Sequence, residues 1–138
     1  MKVLCLIFFS VLVLGKANFV AKTAEDVLKF DDECATELGE PADRLTEFKK
    51  GEFKEDRLSF CHVHCVAKKM GLFDDEKGTD AANMVKQLKS NNDESEENML
   101  KVVEDCIKST DDKKEDKCVW AFTGFVCLGE QGLKASPV

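Results

Sequence analysis

The stretch Cys61-His62-Val63-His64-Cys65 puts two thiols and two imidazoles into five positions. Three chemistries suit those residue types: a zinc site, a proton-sensitive switch, and a pair of disulfides. Zinc needs four ligands converging on a tetrahedron. Side chains one turn long on a helix instead point through most of a circle, and oxidation would remove both thiols, so no metal is expected. The two cysteines, at i and i+4, lie on one helix face with their Cβ vectors side by side. That geometry is poor for bonding to each other. Each is expected to reach a different part of the chain, making the segment a hub. If the cysteines mark the inward seam, His62 and His64 flank it by roughly 80° on either side. Imidazole titrates near pH 6.5, which makes His62 and His64 the candidates for a pH switch. The plainer reading, two solvated surface histidines, is the favoured one.

Four further cysteines, Cys34, Cys106, Cys118 and Cys127, complete the spacing C-x26-C-x3-C-x40-C-x11-C-x8-C. A seventh, Cys5, lies in an amino-terminal leader. Met1-Lys2 is a short basic start, Val3 to Leu14 is apolar except for Ser10, and Gly15-Lys16-Ala17 supplies small residues for a peptidase. The apolar run falls short of the ~20 residues a membrane span needs, so residues 1–17 read as a signal peptide with no membrane anchor. Cleavage after Ala17 is expected, with Ala21 and Ala24 as alternatives. An even set of six cysteines in a short secreted, extracellular chain predicts a disulfide framework rather than a catalytic thiol. Spacing leaves 15 pairings open.

Without the leader the chain carries 18 basic against 27 acidic side chains, a net charge of −9. Basic residues are scattered among the acids, so phosphate backbones and anionic lipid would repel the surface, and nucleic acid is excluded as a partner. Acid pairs such as Asp31-Asp32, Asp74-Asp75 and Asp111-Asp112 fall in charged turns or on polar helix faces. They read as solvated charges, with no catalytic residue among them. A secreted phospholipase A2 would need a glycine-rich calcium loop, which is missing. No Asn-x-Ser/Thr occurs, so N-glycosylation is not expected.

The elements that must position these groups are helical. Apolar residues recur at Val27, Phe30, Cys34 and Leu38, predicting a helix from Thr23 to Leu38 with Gly39 as its stop. Pro41 opens a second helix through Lys50, with Leu45 and Phe48 inward and Gly51 at its end. Asp56 can cap a third helix running to Met70, followed by the connector Leu72-Phe73. Thr79 is expected to cap a fourth helix ending near Ser90. A fifth spans about Glu96 to Ser109 and a sixth about Asp116 to Leu128. Strand signals are almost absent. The tail Gly129–Val138, with its Gly, Pro and small residues, is expected to be loosely held. Residues 18–138 thus read as one all-α, six-helix, disulfide-stapled domain.

With one cysteine on the first helix, two on the third, one on the fifth and two bracketing the sixth, the chain resembles the six-cysteine insect odorant-binding proteins of the pheromone and general odorant-binding group. The resemblance covers the whole chain after the leader, including the aromatic-rich segment Cys118-Val-Trp-Ala-Phe-Thr-Gly-Phe-Val-Cys127. It implies a helical fold enclosing an apolar cavity, and bridges Cys34–Cys65, Cys61–Cys118 and Cys106–Cys127. It also implies a homodimer or a chemosensory receptor as possible partners, and no cofactor. Some members of that family release ligand on acidification through histidines and the C-terminal tail. Here the tail is only Leu128 to Val138 and is not strongly apolar, a departure that sets the long-tail version of that mechanism in doubt.

Ten phenylalanines, two of them in the leader, and several methionines suit such a cavity. Staples let a small domain tolerate unfilled volume, and methionine repacks around different shapes. Inward faces nominate Phe30, Met70, Phe73, Met84, Leu88, Leu100, Val103, Ile107, Phe122 and Phe125 as ligand-binding residues. Trp120 falls on a different side, where its ring would line the cavity or cover its rim. The expected function is an extracellular, noncovalent carrier of a small apolar ligand: an odorant, a pheromone-like alcohol or ester, or a fatty acid. A helical hormone or cytokine with a filled core is the alternative, as is a salivary or haemolymph relative that sequesters small molecules.

Overall fold

Five of the six α-helices begin on a side-chain cap that the sequence supplies, and the other follows a proline. The structure is a computed structural model, and it describes residues 18–137. The leader 1–17, with the signal-peptide assignment and Cys5, lies outside the described residues. Helix α1 (Ala24–Leu38) starts at Thr23, which accepts from the Asp26 N–H while the Asp26 carboxylate accepts from the Thr23 N–H. This reciprocal pair satisfies two amide donors that the first turn leaves open. Helix α2 (Ala42–Lys49) follows Pro41. Asp56 caps α3 (Arg57–Lys69), Ser95 caps α5 (Glu96–Thr110) and Asp116 caps α6 (Lys117–Glu130). The cap of α4 (Ala81–Asn91) is Asp80, not the expected Thr79. Thr79 is drawn instead into a two-residue strand, β2 (Gly78–Thr79), antiparallel to β1 (Phe73–Asp74). The connector read as loop is therefore a minimal hairpin, and a 3-10 turn, Asp111–Lys113, precedes α6.

Helices α3 and α6 form the most extensive pair, with α1 packed on α3 and α4 on α5. Helix α6 is apolar almost all round, with Trp120, Ala121, Phe122, Gly124 and Leu128 buried, as suits a helix surrounded by neighbours. Three disulfides join these elements: Cys34–Cys65 from α1 to α3, Cys61–Cys118 from α3 to α6, and Cys106–Cys127 from α5 to α6. The α3 cysteines thus serve two different partners. Closing loops of 31, 57 and 21 residues stabilises the fold by about 2–4 kcal/mol each.

The tail is held more firmly than its composition predicts. Leu133 and Ala135 are buried in the main core beside Leu88, Met99 and Leu128. Asn92 brackets Lys134, donating through Nδ2 to its carbonyl at 3.1 Å and accepting its N–H at 3.2 Å. Two side-chain amides at the end of α4 supply what the tail lacks in regular structure, since Asn91 Nδ2 also donates to the Ala135 carbonyl at 3.4 Å.

Asp56 links α2 to α3. The Arg44 guanidinium donates to both its oxygens, at 2.7 and 3.0 Å, and the Ser59 N–H donates to Oδ1 at 2.9 Å. These bonds, Arg44 first, hold its carboxyl far below the ordinary 3.8. A carboxylate with a lowered folded-state value stabilises the fold above the unfolded value, and that stabilisation is lost as the pH falls below it. Asp56→Ala should therefore cost about 1–2 kcal/mol in urea unfolding at pH 7. Its deficit against the native chain should shrink by pH 3, and a constant deficit would contradict the cap's charged role.

Candidate functional site

A cavity of about 260 Å³ opens between α1, α3, α6, the hairpin and the tail. Its position follows from how the helices are interrupted. Gly51 and Phe53, in the connector between α2 and α3, form one side with Phe48 of α2. Val63, Val66, Ala67 and Met70 line another, where α3 turns the face beside its cysteine seam inward. Leu72, Phe73 and Thr79 of the hairpin region, together with Met84, close a third. Ala121 and Phe125 come from α6, while Leu133, Ala135 and Ser136 of the tail complete the wall. For scale, an apolar cavity of ~150 Å³ already admits benzene, and most small-molecule pockets begin near 300 Å³. The space therefore suits a small molecule.

Of the residues nominated from the sequence, Met70, Phe73, Met84 and Phe125 stand on this wall. Leu88 is fully buried, but within the core where α4 packs on α5. Phe30 packs against that same core without lining the cavity. Val103 and Ile107 face a separate crevice of about 10 Å³ beside Cys106 and Leu128. Leu100 is 39% exposed. The inward stripe of α5 runs Met99, Val103, Cys106 and Thr110, and Leu100 sits about 100° off it. Phe122 is buried against Phe60, ring centroids 4.6 Å apart. Trp120 is buried too, edge-on to Phe73 at 5.2 Å and pressed on the backbone of Gly78, so it braces the hairpin from behind rather than lining the cavity.

The histidines depart furthest from the favoured reading of two solvated side chains. His62 is 1% exposed and lies on the cavity wall. Its Nε2 is 2.8 Å from Asp31 Oδ1 and its Nδ1 2.8 Å from Glu40 Oε1. Phe48 stacks on the ring at 4.2 Å. Gly39, whose φ of 63° ends α1 in the left-handed conformation, turns the chain so that Glu40 meets the ring. His64 is half-buried and bonds through Nε2 to Asp75 at 2.6 Å, in the turn of the hairpin. Lys68 also donates to Asp75, and the two bonds together, that of Lys68 first, hold the Asp75 carboxyl below its ordinary range.

Asp31, Phe48, Phe53 and His62 are wall residues that helical periodicity did not nominate. Phe48 alone carried a usable signal, as an inward aromatic on a short helix. Asp31 looked like half of a solvated acid pair, and its partner His62 stands 31 residues away.

A family model described as "PBP/GOBP family" matches residues 16–131. Among curated relatives, "Odorant-binding protein 22" of Aedes aegypti is 38% identical over 125 residues, spanning 91% of this chain and 88% of its own. "General odorant-binding protein 99a" of Drosophila melanogaster is 32% identical over 120 residues, covering 87% and 84% respectively. Among solved structures, odorant-binding protein 22a of Anopheles gambiae superposes with a TM-score of 0.62 at 27% identity, over 73% of this chain and 94% of that one. A second structure of that protein, with the odorant cyclohexanone bound, gives a TM-score of 0.63 at 27% identity, over 74% and 87%.

Proposed function

The chain belongs to the PBP/GOBP family of odorant-binding proteins, and from that premise we propose that it is a secreted carrier which holds one small apolar molecule in the cavity beneath the hairpin. The observation that carries this reading is the cavity itself, about 260 Å³ of space walled mainly by Val, Met, Leu and Phe side chains. A chain that only needed to fold would fill such a volume, because unfilled space in a core costs about 24 cal/mol per Å³. Burial of ligand hydrocarbon repays that cost at about 25 cal/mol per Å². The reported relatives are odorant-binding proteins by name, and the cyclohexanone held by one of them is a compact, weakly polar molecule of the size this space admits.

The secreted form we propose begins at Asn18. Phe19 packs over Gly71 against the core, and the backbone of Lys22 pairs with the buried amide of Gln87, N–H to Oε1 at 2.7 Å and Nε2 to O at 3.2 Å. Cleavage after Ala21 would discard Phe19, and cleavage after Ala24 would also discard the Thr23 cap. An intact mass that starts at Asn18 and lacks six cysteine hydrogens supports this reading, as does non-reducing peptide mapping to the pairs Cys34–Cys65, Cys61–Cys118 and Cys106–Cys127. A mass starting at Lys22 or Glu25 would refute the cleavage site.

The same preparation tests the carrier. A neutral hydrophobic fluorophore is expected to brighten on binding and to be displaced by short-chain alcohols, ketones or esters. No brightening, and no displacement by any apolar ligand, would favour a helical signalling protein instead. Acid-triggered release is proposed through His62, which stands on the cavity wall, and His64, which holds the hairpin turn. The fluorophore should leave between pH 7 and pH 5, and should stay in a His62→Gln, His64→Gln double variant. Release that persists unaltered in that variant removes both histidines from the process.

A further inference from the structure

We propose that the cargo carries a protonated amine, its ammonium group docking on Asp31 at the buried end of the cavity; this rests on the carrier reading above. The argument begins with a proton count. Asp31, His62 and Glu40 form a continuous buried row, with Nε2 of the ring 2.8 Å from Asp31 Oδ1 and Nδ1 2.8 Å from Glu40 Oε1. The Asp31, His62 and Glu40 side chains are 7%, 1% and 0% exposed. A ring nitrogen and a carboxylate oxygen sit this close only with a proton between them, so the two contacts hold two protons. Two carboxylates and one imidazole sharing two protons sum to −1, whichever atoms the protons reside on.

That charge has no cation paired to it among the described residues. Arg44 stands over the Phe48 ring at 5.2 Å but is committed to Asp56 and Glu47. Lys49 pairs with Asp32, and Lys69 with Glu33 and Glu37. A buried net charge without a counter-ion is costly, and a ligand that supplies one gains what the fold lacks.

Asp31 is placed to receive that ligand. Its bond to the ring uses Oδ1, and Oδ2 has no hydrogen-bond partner among the described residues. Asp31 is 5% exposed and lines the cavity. Glu40, by contrast, lies behind the ring and off the wall. Lys134 is the other charged residue on the wall, but it is exposed and forms no ion pair with the row among the described residues, so solvent screens its pull on a carboxylate. A molecule with an ammonium at one end and a short hydrocarbon body would bury its tail among Val66, Met70 and Phe125 while donating to Oδ2.

Calorimetric titration of the full secreted chain at neutral pH with octylammonium, octanol and octanoate separates the heads on one tail. Octylammonium is expected to bind at least about tenfold more tightly than octanoate, the scale of one charge-assisted hydrogen bond. Asp31→Asn should bring the two within about threefold. Asp31→Ser also removes the docking carboxylate, so it should shrink the preference likewise, and it serves if Asp31→Asn does not fold. Octanoate binding as tightly as octylammonium in the native chain would overturn the proposal and leave the carrier intact. An ammonium preference that survives both substitutions would overturn it as well. Absence of binding by all three ligands and by the neutral fluorophore would overturn the carrier reading, and this inference with it.

Discussion

His62→Ala is expected to destabilise the protein by about 3–5 kcal/mol, against less than about 1 kcal/mol for His64→Ala. The two histidines stand two residues apart on α3, and their sequence context barely distinguishes them. Burial and partners do. Removing the His62 ring leaves the carboxylates of Asp31 and Glu40 inside the fold with no donor between them, and the void adds a cavity cost beside Phe48. Removing His64 breaks one bond to Asp75, whose side chain is 40% exposed and still held by Lys68. Water replaces most of what is lost there. Urea unfolding of the two variants, disulfides intact, gives the comparison. A His62→Ala cost near that of His64→Ala would mean that the buried row contributes no more than a surface pair.

Gly78→Ala should cost about 2–4 kcal/mol and disturb the hairpin. Gly78 has a φ of 78°, a conformation that costs an L side chain roughly 1–2 kcal/mol. A Cβ built there would lie 2.3 Å from Cζ2 of Trp120 and 2.8 Å from Cη2, so the indole or the strand must move, with an overpacking cost of ~1–3 kcal/mol. Gly39→Ala is the matched control. Its φ is 63°, but nothing lies within 4 Å of the new Cβ, so only the backbone cost applies. Trp120 is the single tryptophan of the chain, so its emission reports the contact directly. A shifted emission and weakened probe binding are expected for Gly78→Ala, because Phe73 and Thr79 of the same hairpin line the cavity. Equal stability losses at the two glycines, with unchanged emission, would show that the hairpin yields without strain.

Much of the fold is legible in the sequence. The caps Thr23 and Asp56, the stop at Gly39 and the one-sided apolar stripes give all six helices within a few residues, because each is a local signal. The cavity is legible where a helix or the apolar connector presents an unmistakable inward residue, as at Met70, Phe73, Met84 and Phe125. Leu100 misled because two adjacent apolar residues compete for one stripe, and Met99 takes the buried side. Leu88 and Val103 are inward, but inward toward a neighbouring helix rather than toward open space. Periodicity reports that a side chain leaves water, not what it meets.

The sequence by itself determined a secreted-type cysteine spacing, helix number and order, an acidic surface, and the division of Cys61 and Cys65 between separate partners. Those follow from spacing along the chain, since i and i+4 on a helix share a face whatever surrounds them. Tertiary structure alone decided that His62 is fully buried while His64 is only half-buried. Asp31 and Glu40 reach the ring from 31 and 22 residues away, and such separations leave no local trace. It also decided that Trp120 braces a hairpin and that the tail becomes a wall, held by Asn92 from 42 residues away. In each case the deciding energy is the desolvation of a polar group or the contact of a ring, and both depend on where three or four distant segments meet.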